Sequence, residues 1–229
     1  MTVLTISCMD MRLNGTIEDS NVAGGLVLRN AGANISGMKG SIRGILDSEN
    51  ITEIKLMPHN DCGAMKVVYG ALKKGMGVSS EVKDALVSQF SAEHFETLDE
   101  LEKINYAKQE RAIKEMAPGV KVSVEPIDLS KYHNESNSMH VLAFTYASKG
   151  NYNEICKKAG LEHDNTYFVH LNSIDEAAHD IEIGIKNIGI KKVFFIAQNP
   201  SEYRRMLSDM QRFSMKDFMN GVEAKFVKL

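Results

Sequence analysis

A chain of 229 residues with 43% apolar side chains can bury a sizeable core, as one large domain or two small ones, and is not a disordered polypeptide. Its 27 basic and 30 acidic residues are intermixed to a net charge of -3, which leaves no cationic stripe for a phosphate backbone and argues against nucleic acid as a partner. No apolar run approaches a membrane span and no signal-type segment opens the chain, so a cytoplasmic location is expected; three cysteines, an odd number, suit a reducing compartment rather than a disulfide framework.

Taken in order, the apolar run at residues 3–7 predicts a buried strand that delivers Cys8-Met9-Asp10-Met11-Arg12 at its end. A second short strand is expected at 26–28, followed by a strand-to-helix turn at Arg29-Asn30-Ala31-Gly32 that shapes the backbone beneath a site rather than touching substrate. Helical spacing of Met38, Ile42, Ile45 and Leu46 predicts a helix over 36–47. A strand at 53–57 then leads to His59-Asn60-Asp61-Cys62-Gly63 and an amphipathic helix whose face carries Ala64, Val67 and Val68. Further helices fit 80–90 and 98–116, the latter opened by Thr97 with Glu100 as a capping box, before a strand at 120–125.

The second half repeats this order of elements. His140 to Tyr146 lies under Thr2 to Cys8, Tyr167-Phe168-Val169 under Gly25-Leu26-Val27, Val193 to Gln198 under Ile54 to His59, and Gly221-Val222 under Gly119-Val120. The copy keeps the scaffold and lacks the chemistry: Tyr146 stands under Cys8, Gln198 under His59 and Ser201 under Cys62. It also lacks the helical insertion between Gly75 and Gly119. Two units are therefore expected, residues 1–130 with a site and residues 139–229 as a degenerate repeat.

Cys8, His59 and Cys62 form a Cys2His set, and three protein ligands with a free fourth position is the arrangement of catalytic rather than structural zinc. Cys156, in an amphipathic stretch, reads as a small buried residue, and His94, His133, His140, His163, His170 and His179 as surface or satisfied core residues. With C-x-D-x-R at Cys8 to Arg12, R-N-A-G at Arg29 to Gly32 and H-x-x-C-G at His59 to Gly63, the chain resembles the β-class carbonic anhydrases.

That resemblance implies an α/β fold with a mostly parallel sheet flanked by helices. It also implies active sites at a dimer interface, so a duplicated chain would be a pseudo-dimer, alone or in a homo-oligomer. It implies Zn2+ on Cys8, His59 and Cys62, with Asp10 accepting a hydrogen bond from zinc-bound hydroxide while Arg12 holds Asp10 off the metal. The expected reaction is reversible hydration of carbon dioxide to bicarbonate. Hydrolysis of carbon disulfide or carbonyl sulfide on the same site, or a non-catalytic zinc or thiol protein, stays open from sequence. Tyr146 and Phe144 are candidates for apolar wall supplied by the second half.

Overall fold

Eight strands form one sheet: β1 (Thr2–Cys8), β2 (Leu26–Asn30), β3 (Ile51–Met57), β4 (Lys121–Val124), β5 (Val141–Thr145), β6 (Thr166–His170), β7 (Lys192–Ala197) and β8 (Glu223–Lys228). The computed structural model describes residues 2–21, 24–130, 132, 139–213 and 217–229. The strand order is β4-β3-β1-β2-β6-β5-β7-β8. Every neighbouring pair is parallel except β2 and β6, which meet antiparallel with Arg29 opposite His170. The α/β class with a mostly parallel sheet is as expected, and the central strands carry the near-continuous apolar runs that burial on both faces demands.

The helices are α1 (Asn14–Ser20), α2 (Lys39–Ser48), α3 (Gly63–Lys73), α4 (Ser80–Ala85), α5 (Leu98–Met116), α6 (Tyr152–Ala159), α7 (Ala178–Ile183) and α8 (Pro200–Phe213). In α5 the expected capping box is present: the Thr97 side chain accepts from the Glu100 backbone N–H, and the Glu100 carboxylate accepts from that of Thr97. Three expectations shift. The strand placed at 26–28 runs on to Asn30. The helix placed at 80–90 ends at Ala85, where Leu86 leaves helical geometry (φ -127, ψ -57) before a 3-10 turn, Val87–Phe90. The helix placed at 36–47 begins with its own 3-10 turn, Ser36–Met38, before α2.

The two halves of the chain cap each other's helices. The Glu176 carboxylate accepts from the backbone N–H groups of Gly40 (2.7 Å) and Ser41, satisfying donors that the first turn of α2 leaves free. In the opposite direction, Glu18 of α1 accepts from the Asn153 backbone (2.8 Å) and side chain at the start of α6. A carboxylate at a helix N-terminus also meets the positive end of the helix dipole.

Among the histidines, His133 lies outside the described residues, and His94 is exposed. His179 pairs with the buried Asp180 at 3.2 Å. His170 departs from the expected satisfied core histidine: it is fully buried at the β2–β6 junction, packed on Tyr152 and Phe168, and neither ring nitrogen has a hydrogen-bond partner among the described residues. Burial first, and the nearby Arg29 charge second, hold its imidazole down to about 3. Below pH ~6.5 the unfolded chain takes up a proton here that the folded chain refuses, so stability present at neutral pH is lost as pH falls towards 3. Replacing His170 by Leu in the metal-free protein should reduce the stability lost between pH ~7 and ~5 by about 2 kcal/mol relative to wild type, measured by urea unfolding at both pH values.

Candidate metal centre

β1 lies between β3 and β2, so the chain leaves β1 for one side of it and returns on the other. A doubly wound sheet opens its crevice at such a point, outside the carboxyl ends of the strands. Cys8 closes β1, and His59 follows β3 after Met57, which is paired with Ser7. Cys62 is the N-cap of α3, extended at φ -73 and ψ 122, so its thiol turns back towards the strand ends. One sulfur or imidazole nitrogen from each of Cys8, His59 and Cys62 falls within 4.8 Å of the others, all three residues are buried, and among the described residues no other histidine, cysteine or carboxylate joins this group.

The donors fit a zinc ion. The two sulfurs stand 3.9 Å apart and form no disulfide, close to the ~3.8 Å that tetrahedral Zn–S bonds of about 2.3 Å require. His59 Nδ1 sits 2.8 Å from the Asn60 carbonyl oxygen, which places the ring proton there and leaves the Nε2 lone pair free; Nε2 is buried without a hydrogen-bond partner. A buried acceptor with no donor is costly, and a metal ion removes the cost. Asn60 is fixed in turn by Asp128 at 2.7 Å and by the Leu129 backbone N–H at 2.6 Å.

Electrostatics prepare the same centre. The Cys62 thiol shares its proton with Cys8, and His59 adds positive charge, so Cys8 is held well below the usual thiol range while Cys62 is pushed up. Burial disfavours the His59 imidazolium, but the Cys8 thiolate outweighs it and raises the ring's affinity for a proton. A cation is wanted among these side chains, and a divalent one satisfies all three.

Asp10 and Arg12 do meet, across a short turn. Asp10 caps a 3-10 turn, Met11–Leu13, and its carboxylate accepts from the Arg12 backbone N–H (3.1 Å), from Arg12 Nε (2.9 Å) and from Arg12 Nη2 (2.7 Å). Burial raises the Asp10 carboxyl and Arg12 overcomes it, leaving Asp10 below the usual carboxylate range although only 5% exposed. The other edge of the guanidinium reaches Asp61, donating to its carboxylate (2.7 Å) and its carbonyl (2.9 Å). Asp61 itself holds the left-handed conformation (φ 53), paired with Arg12 and Lys66, and nothing crowds Gly63.

Arg29 does shape backbone, as its turn suggested. Fully buried, it donates to the carbonyls of Cys8 (2.8 Å) and Asp10 (2.7 Å) and to Asn14 Oδ1 (2.6 Å). Gly32, at φ 74 and with Met65 too close to admit a β-carbon comfortably, donates its N–H to Cys8 Sγ at 3.3 Å. Tyr146 and Phe144 do not furnish a wall here. Tyr146 donates to Asp209 within its own half and Phe144 packs between Tyr146 and Phe195. From the second half it is β6 that approaches: Phe168 donates its N–H to the Met9 carbonyl, and Tyr167 feels the charge of Asp10. A cleft of about 470 Å³ opens beside Arg12, bordered by Met11, Thr16, Leu129, Tyr132 and His163. Sequence reasoning missed three polar residues of α5, Glu102, Asn105 and Gln109, which are buried against this centre. Their spacing at i, i+3 and i+7 on one face was the available signal.

This site, on this sheet, defines a zinc enzyme of the Cys2His kind that β-class carbonic anhydrases carry. Residues 3–149 match the carbonic anhydrase family, and the chain belongs to it. Among solved structures, a carbonic anhydrase from Glaciozyma antarctica is similar over 56% of this chain and 77% of its own length, at 22% identity and a TM-score of 0.34. Among curated proteins none matches.

Replacing Arg29 by Met should remove three buried hydrogen bonds, with the Asp10 carbonyl keeping the Leu13 N–H and Asn14 Oδ1 losing this donor, and so lower unfolding stability by about 1–3 kcal/mol in a urea titration.

Proposed function

We propose that the chain hydrates carbon dioxide reversibly to bicarbonate, with Cys8, His59 and Cys62 as the ligands of one zinc ion and Asp10 and Arg12 as the pair that orients the attacking water. The observation that carries this reading is the Cys2His cluster, without a fourth protein donor among the described residues, beside a buried, ionised Asp10. When bound, zinc supplies the Lewis acidity that makes water a nucleophile near neutral pH. Arg12 occupies both Asp10 carboxylate oxygens, so the carboxylate would stay off a bound metal and would be free to accept a hydrogen bond from the water it activates. Asp61 anchors the far side of the guanidinium, which keeps Arg12 from swinging with the bulk cleft. A non-catalytic zinc site has no use for this chain of charge-assisted bonds.

The same proposal covers the organisation of the chain. Reading outward from the β2–β6 junction, each half runs second, first, third, fourth strand, which supports a duplication with units at 1–130 and 139–229. The ladders add independent support. Ser7 pairs with Met57 and Thr145 with Ile196, and Leu56 pairs with Val124 as Phe195 does with Phe226. These are the equivalences the sequence overlay gives; only β6 differs, by one residue, because Thr145 pairs with His170 where Ser7 pairs with Arg29. On this reading the chain is a pseudo-dimer with one working site, acting alone or as a homo-oligomer of such units on a small-molecule substrate. The residues under the ligands have protein partners instead of a metal: Tyr146 bonds Asp209, and Gln198 bonds Thr145. No described helix is long and apolar enough to cross a membrane, and three free thiols favour a reducing, cytoplasmic setting.

Metal analysis should find one zinc per chain; two tightly held ions would refute the degenerate reading of the second half. Stopped-flow hydration of carbon dioxide should fall at least about 100-fold in Asp10→Asn with zinc retained. Turnover of carbonyl sulfide but not carbon dioxide would move the assignment to the sulfur substrates.

A further inference from the structure

We infer that the polar edge of α5 is the positioning element of the metal centre: Glu102, Asn105 and Gln109 hold the two strained turns that bring the sulfurs of Cys8 and Cys62 together. This rests on the zinc reading above and goes beyond it, since it gives the helical insertion a task and names residues that touch neither metal nor substrate.

Among the described residues only two that are not glycine adopt the left-handed conformation, Ala33 (φ 54) and Asp61 (φ 53). Such residues persist only when their surroundings over-determine them. Asp61 immediately precedes the ligand Cys62; Ala33 immediately follows Gly32, whose N–H donates to the sulfur of Cys8. Both turns are tied to α5. Glu102 Oε1 accepts from the Cys62 backbone N–H at 2.7 Å, next to the strained Asp61 peptide. Asn105 Nδ2 donates to the Gly32 carbonyl at 3.0 Å, and Gln109 Oε1 accepts from the Ile35 backbone N–H at 2.8 Å. Gln109 Nε2 donates to Asn105 Oδ1 at 2.9 Å, so the two amides lock each other's orientation.

All three side chains are buried, and Glu102 is only 4% exposed, with no cation paired to it in the described hydrogen bonds and ion pairs. A carboxylate buried there without a paired cation is costly, and helix packing would be served better by an apolar residue. Its place is explained by the backbone it grips. The spacing i, i+3, i+7 puts the three groups along one edge of a rigid 19-residue helix, so a single element sets the separation of two turns that are 30 residues apart in sequence. Outer partners of this kind fix ligand orientation, and losing one costs about 10–100-fold in metal affinity.

The test measures zinc affinity by competition with a chromophoric chelator, and the ligand-field spectrum of the cobalt-substituted protein, in Glu102→Met, Glu102→Gln and Ile113→Ala. Met keeps the volume and removes the acceptor, Gln keeps an acceptor oxygen, and Ile113 is a buried apolar residue of the same helix. Glu102→Met should bind zinc about 10–100-fold more weakly with a shifted cobalt spectrum, Glu102→Gln should recover most of that affinity, and Ile113→Ala should melt earlier without either change. Wild-type affinity and spectrum in Glu102→Met would overturn the inference, as would a loss that Ile113→Ala reproduces at equal loss of melting temperature. Wild-type protein that takes up neither zinc nor cobalt would instead sink the zinc reading itself.

Discussion

The pairing of β1 with β3 is the constraint on which the site depends. Ser7 faces Met57 across a parallel ladder, and the Ser7 hydroxyl donates to the Met57 carbonyl at 3.0 Å. This fixes where both strands end. Because side chains alternate along a strand, a slip of one residue would send Cys8 to the opposite face of the sheet from His59. Neither ligand could be recovered by loop adjustment, since both leave buried strands within two residues of the last rung. The metal chemistry is thus set by sheet register before any loop is considered.

Around that fixed point the charges are arranged so that each buried ion has partners of known kind. Arg12 lies between two carboxylates, Asp10 and Asp61, and ties the β1 turn to the ligand loop with charge-assisted bonds. Arg29 has no carboxylate in reach among the described residues and is satisfied by two carbonyls, an asparagine oxygen and the face of Tyr152, 4.9 Å from its guanidinium carbon. The first arginine works by charge, the second by geometry. Lysine could serve neither well, because only the planar fork reaches several acceptors at once.

The three ligands and the fold class were legible in the sequence because each motif follows an apolar strand and the ligand spacing is chemically narrow. The pairing of Asp10 with Arg12 was legible in the C-x-D-x-R motif, but its geometry was not: a 3-10 turn capped by Asp10 folds Arg12 back. Glu102, Asn105 and Gln109 share one helix face, but a polar residue on an amphipathic helix reads as solvent-facing until the turns it bonds are placed, so their spacing alone did not single them out. The unpaired His170 was invisible for a related reason. Burial of a residue in a parallel strand is predictable, but whether a donor happens to lie beside it depends on how β2 and β6 meet, which no local pattern encodes.

Backbone strain is distributed unevenly between the described residues before 131 and those from 139 on. Among the described residues, left-handed positions beyond residue 139 are all glycine, at Gly150, Gly160, Gly189 and Gly221, where the conformation is nearly free. The strained Ala33 and Asp61 both belong to the first half and both adjoin the metal centre. In the overlay of the two halves Asp61 stands over Pro200, which opens α8 and whose ring forbids positive φ. A proline there gives the helix an unstrained start and removes the turn that would aim a ligand from position 201 back at the strand ends. On the duplication proposed above, restoring Cys, His and Cys at 146, 198 and 201 would still leave Pro200 where the left-handed turn that precedes Cys62 cannot form.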